Sequence, residues 1–111
     1  MPRPPCPRTV SGCPASPVFK PTGIPLAELD EVVMTLDEFE ALRLADLDGE
    51  YQEEAARRMG VSRPTFSRIV EAAHRKVADA LVHGKALRIE GGHVNVTARR
   101  CCRWHDREEK P

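Results

Sequence analysis

Between Tyr51 and His83 the apolar positions recur with a helical period that is interrupted once. YQEEAARRMG puts Ala55, Ala56 and Met59 on one side of a short segment. VSRPTFSRIVEAAHRKVADALVH then puts Phe66, Ile69, Val70, Ala73, Val77, Ala80 and Leu81 at three- and four-residue steps, one face of a 3.6-residue period. The break has the chemistry of a turn. Gly60 stands where a chain leaves a helix with positive φ, which glycine adopts without a Cβ clash. Val61 can plug the corner between the two helices. Ser62 is placed as an N-cap, and Pro64 falls in the first turn of the second helix, where a missing N–H costs nothing.

Upstream, Thr35-Leu36-Asp37-Glu38 fits a capping box, opening a helix that runs to about Leu47 and ends at Gly49. Leu36, Phe39, Leu42, Leu44 and Ala45 are its expected inward residues, and the acidic first turn suits the helix dipole. Leu26–Met34 combines a turn of helix with a short extended piece, Val32–Met34. Lys85–Glu90 alternates, with Leu87 and Ile89 on one side, and lies between Gly84 and Gly91-Gly92. It predicts a strand whose natural mate is Val32–Met34. A two-stranded ribbon is weak alone, so it must pack on the helices or pair across a dimer. His93–Thr97 can extend it. The expected fold class is mainly α: a helix-turn-helix bundle of three to four helices with a short two-stranded β element and a proline-rich N-terminal arm.

Residues 1–25 contain eight of the ten prolines, which excludes a helix there. Residues 1–18 therefore read as an extended arm that is disordered unless something holds it, residues 19–92 as the domain, and residues 93–111 as a charged tail carrying Cys and His. At 111 residues the chain suffices for one small core and not for a large substrate cleft.

A formal net charge of zero looks wrong for a nucleic-acid binder, but the distribution changes the picture. Residues 51–85 carry seven basic and four acidic residues, while residues 26–50 carry one basic and nine acidic. Local charge sets the field at a binding face. The second helix of a helix-turn-helix presents its N-terminal residues to base edges in the major groove, while the first crosses the backbone. Arg63, Ser67 and Arg68 are the expected base contacts, with Glu71 a cytosine reader, beside Pro64. Gln52, Ser62, Thr65 and Arg75 are the expected phosphate contacts. An αα-hairpin in an ordinary bundle, with its arginines on a solvated face, would share the same amphipathicity.

Cys6 and Cys13 lie in the arm, and Cys101, Cys102 and His105 in the tail. Thiolates with an imidazole suit zinc or an iron–sulfur cluster. The spacing departs from C-x2-4-C, and a shared site requires the two termini to meet; surface thiols in loose tails are the alternative. His74 and His83 read as structural. No apolar run approaches the ~20 residues of a membrane helix, and no apolar core of a secretory peptide is present. With four cysteines and no signal, a reducing cytoplasm is expected. No P-loop, GxGxxG, nucleophile elbow or HExxH is present, so no enzyme is expected.

FKPTGIPLAELDEVVMTLDEFEALRLADLDG, YQEEAARRMGVSRPTFSRIVEAAHRKVADALVHGKAL and RIEGG together resemble the bacterial and archaeal family called domain of unknown function 134, known only as candidate DNA-binding proteins. Met1-Pro2-Arg3-Pro4 followed by Cys6 resembles that family's start. The helix-turn-helix part is separately similar to region four of the bacterial sigma-70 factors. The resemblance implies a DNA-binding domain in the style of the winged-helix superfamily and no catalysis. The expected partners are double-stranded DNA and a second copy of the chain, with Val32–Met34 and Lys85–Ile89 as the candidate dimer interface. Domains like region four also bind RNA polymerase or anti-sigma partners, so the alternative is a protein-interaction module working through the acidic 26–50 face.

Overall fold

A computed structural model describes residues 8–10, 14–92 and the backbone of 94–96. Five short strands and three α-helices follow in order: β1 (Arg8–Val10), β2 (Val18–Phe19), β3 (Glu31–Met34), α1 (Leu36–Leu42), α2 (Gln52–Met59), α3 (Arg63–His83), β4 (Ala86–Ile89) and β5 (Val94–Val96). A single 3-10 turn, Leu26–Glu28, precedes β3, as the mixed pattern of that segment predicts. The molecule is mainly helical with a small mixed sheet.

The helix opened by Thr35 begins with the expected box: the Glu38 carboxylate accepts from the Thr35 backbone N–H at 3.0 Å. The Thr35 hydroxyl also donates to the Asp37 carboxylate. After Leu42 the helix widens into a π-helical turn, Arg43–Leu47, closed by Asp48 N–H donating to the Arg43 carbonyl at 2.9 Å. This one-residue widening keeps Leu44 fully buried while Leu47 turns out to solvent.

Helix α3 is the beam on which two cores are built. Its first half buries Phe66, Ile69 and Val70 against Ala41, Leu44, Ala55, Ala56 and Met59. Its second half buries Ala73 against Met34, Leu36 and Ile89, with Phe39, Leu42, Val77 and Leu87 packed around them. The small residues Ala55 and Ala56 let α2 approach α3 closely. Leu81 departs from the stripe predicted for α3: it is 77% exposed, because the core ends at Ala80 and no described element covers the last turn on that side.

Strand β4 pairs with Val32–Met34 as its alternation predicts, in parallel, with Met34 opposite Ile89. The parallel sense follows from the connection, since three helices separate the strands. The ribbon is not two-stranded, however. Val18–Phe19 adds antiparallel to the other edge of β4, giving the order β2-β4-β3. Both segments expected at a dimer interface thus pair with each other inside one chain.

The arm departs most from expectation. Arg8–Val10 forms a parallel pair with Val94–Val96, and Val10 is fully buried against α1 and α2. The β-branched Val10, two places before Gly12 and four before Pro14, anchors it. Of the segment expected to extend that strand, His93 and Thr97 lie outside the described residues, and Val94–Val96 pairs with the arm rather than prolonging β4.

Two outcomes follow. Val10→Ala, which removes two buried methyl groups, should destabilise the fold by about 2 kcal/mol in urea unfolding. Arg88 donates to both carboxylate oxygens of Glu31 at 3.0 Å, from Nε and an Nη, and this bond holds the Glu31 pKa below its usual 4.5. A lowered folded-state pKa means the link stabilises at neutral pH and is lost as pH falls through that pKa. The urea midpoint of Glu31→Gln should therefore fall less steeply than that of the wild type on acidification below pH 4.5.

Candidate nucleic-acid interface

The turn between α2 and α3 is tied at both ends by backbone chemistry. Gly60 has φ +72°, the left-handed region. Its N–H donates to the Arg57 carbonyl at 3.1 Å, and Val61 N–H donates to the Ala56 carbonyl at 3.0 Å, the paired closure of a Schellman motif. Val61 packs on the first core. The Ser62 hydroxyl accepts from Thr65 N–H at 3.3 Å and meets the Thr65 hydroxyl at 2.9 Å, so α3 begins at a capped, proline-supported end. Every corner residue singled out in the sequence has the role its chemistry suggests.

With Phe66, Ile69, Val70 and Ala73 buried, the opposite side of α3 is set by the helical period. Pro64, Arg68, Glu71 and Arg75 recur at four-, three- and four-residue steps and are all exposed, with Arg63 exposed and Ser67 half-buried on the flank. Arg63 and Arg75 have no carboxylate partner among the described residues, nor does Arg68, whose guanidinium lies 3.5 Å from the Thr65 hydroxyl. Gln52 is exposed at the start of α2. The hydroxyls of Ser62 and Thr65 are engaged with each other in the cap. Tyr51 escaped the sequence reading: it is the N-cap residue of α2, precedes Gln52 and is 86% exposed. Arg57 is likewise exposed, 3.2 Å from Glu54.

The acidic block behaves differently. Glu40 and Asp48 both bind Arg43 at 2.8 Å. Glu38 binds Lys76 at 2.7 Å, Asp46 meets His74 at 2.5 Å, Glu31 binds Arg88, and Glu50 binds Arg58. Asp37 lies 3.9 Å from Arg8. Only Glu28 and Asp30 of the nine lack such a partner among the described residues. Most of the block's charge thus serves to hold α1 and the π turn to α2, α3 and the strands. His74 has the structural setting expected of it, and His83 bonds Asp79 at 2.7 Å. That bond, followed by the one from Lys85, draws the Asp79 pKa down.

Cys6, Cys13, Cys101, Cys102 and His105 lie outside the described residues. Among the described residues no group of three His, Cys, Asp or Glu could hold a metal ion. No described helix is long and apolar enough to cross a membrane.

These features define a small, mainly helical domain organised on a helix, a tight turn and a longer helix. The sequence profile of the family described as "Protein of unknown function DUF134" matches residues 1–97, and the chain belongs to that family. A UPF0251 protein of Moorella thermoacetica is 55% identical over 106 residues, covering 91% of this chain and 71% of the relative. One from Thermoanaerobacter pseudethanolicus is 57% identical over 96 residues, covering 86% and 81%. One from Prosthecochloris aestuarii is 60% identical over 92 residues, covering 83% of this chain and 59% of its own length. No solved structure matches the chain.

Replacing the cap, Ser62→Ala, should cost about 1 kcal/mol in thermal or urea unfolding, with helix content retained.

Proposed function

We propose that this chain binds double-stranded DNA in a sequence-specific way and regulates transcription, with the N-terminal half of α3 in the major groove. The observation that carries this reading is the contrast between two charge sets. The described carboxylates of the acidic block are mostly occupied by internal ion pairs, whereas Arg63, Arg68 and Arg75 stand exposed without carboxylate partners among the described residues. An arginine held by neither a carboxylate nor the core is available for phosphate or guanine. The helix bearing them is locked by a buried face and a capped start, so their geometry is set before binding. Arg63, Ser67 and Arg68 read bases, and Glu71 accepts from a cytosine amine. Pro64 keeps the approach free of a side-chain donor. Arg75, Gln52, Ser62 and Thr65 hold phosphates, with Tyr51 and Arg57 as further backbone contacts. Two copies reading two half-sites would provide the area that specific recognition needs. The reading assigns no catalytic step and no resident cofactor.

The competing role, an interaction module binding RNA polymerase or another regulator through residues 26–50, has less to draw on. Its charge is largely neutralised from within.

Selection of purified protein against randomised duplex DNA at two salt concentrations tests the proposal. An enriched motif with a steep salt slope is the expected result; no enrichment and no salt-dependent binding would sink it. On the selected site, Arg63→Ala with Arg68→Ala should weaken binding at least about thirtyfold and relax the motif. Arg75→Ala should weaken all sequences alike and lower the salt slope by about one. Unchanged affinity of the double variant would overturn the assignment of α3.

A further inference from the structure

The parallel pair β1–β5 fixes where the C-terminal segment starts. Thr9 stands opposite Asn95, and Val10 opposite Val96. The Thr9 hydroxyl lies 3.9 Å from where a Cβ on Gly60 would be, so the pair sits against the corner between α2 and α3. Val10, fully buried on α1 and α2, anchors it there. One side-chain contact and one strand spacing separate the backbone of β5 from the corner, ~13 Å at most.

Residues 97–104, outside the described residues, read TARRCCRW. They carry Arg99, Arg100 and Arg103 and no carboxylate, in a chain whose formal net charge is zero. Arg99 and Arg103 stand three and seven residues beyond Val96, an extended reach of ~10 and ~25 Å. The longer reach is about twice the step back to the corner, before the arginine side chains are counted. The acidic residues nearest in sequence to the helix-turn-helix do not compete for them. Glu31, Glu38, Glu40, Asp46, Asp48 and Glu50 are held by Arg88, Lys76, Arg43, His74 and Arg58.

We infer that Arg99, Arg100 and Arg103 form a second DNA-binding element, a basic tail that neutralises phosphates beside the major groove occupied by α3. The inference rests on the proposed function, because α3 places the duplex next to the corner from which the tail departs. Three like charges within five residues repel one another, and a polyanion relieves that repulsion while releasing its own counterions. Arginine suits phosphate oxygens, which its planar fork meets two at a time. Phosphate contacts carry no sequence information, so the tail contributes affinity and α3 the motif.

Salt titration of full-chain binding, to the selected duplex and to a scrambled one, tests the tail. Arg99→Ala, Arg100→Ala and Arg103→Ala together should lower the slope of log affinity against log salt by about 2.7. The triple variant should weaken both duplexes alike, at least about tenfold at low salt, and enrich the same motif as the wild type. Its urea midpoint should be unchanged, since the substitutions follow the last described strand. Lysine at the same three positions should retain most of the slope, because the charge is kept. A wild-type slope in the alanine variant, or a changed motif, overturns the inference. So does a lysine variant that behaves as the alanine one. Loss of binding in the Arg63 and Arg68 double variant, with the slope of the tail variant intact, removes the tail and leaves the proposed function standing. A tail-dependent slope in a protein whose Arg63 and Arg68 are dispensable does the reverse. A wild type without salt-dependent binding removes both.

Discussion

The buried face of α3 is the constraint on which everything else in this molecule depends. One stripe of side chains serves two clusters, with Phe66, Ile69 and Val70 in the first and Ala73 in the second. A helix committed to two cores cannot rotate about its axis without emptying both. Close-packed interiors forfeit dispersion contacts as soon as such gaps open. The orientation of the opposite face, with Pro64, Arg68, Glu71 and Arg75, is therefore fixed by residues that never meet a ligand.

The electrostatics follow the same division of labour. A chain with equal numbers of acidic and basic residues could have cancelled its own field everywhere. Instead the carboxylates before Tyr51 bind Arg43, Arg58, Lys76, His74 and Arg88, and the last three of these contacts join elements far apart in sequence. The Glu38–Lys76 pair ties the start of α1 to the middle of α3. The guanidinium groups at the start of α3 are left out of these pairings. Zero net charge and a positive face coexist because the neutralisation is internal and local.

The terminal strands add a second kind of support. Val10, fully buried, packs beneath α1 and α2, and Thr9 lies 3.9 Å from where a Cβ on Gly60 would be. The segment before the first core residue thus reaches the corner that sets the angle between α2 and α3. The proline content there is compatible with an extended strand, which lacks the helical hydrogen bonds that proline breaks.

Local chemistry determined a good deal by itself. The turn at Gly60–Ser62, the capping box at Thr35–Glu38, the stripe from Phe66 to Ala80 and the exposed arginines could all be read from spacing, because caps, turns and helical periodicity depend on residues within a few positions of one another. The mating of Val32–Met34 with the strand after Gly84 was also legible, since each is a short extended run that needs a partner. Tertiary structure alone decided the rest. Whether β2 would join β4, whether Arg8–Val10 would be held, and whether Leu81 would be covered depended on elements tens of residues away. A three-residue strand has no signal of its own until a partner satisfies its backbone. Leu81 fits the apolar period as well as Val77 does, and differs only because the core ends before the helix does.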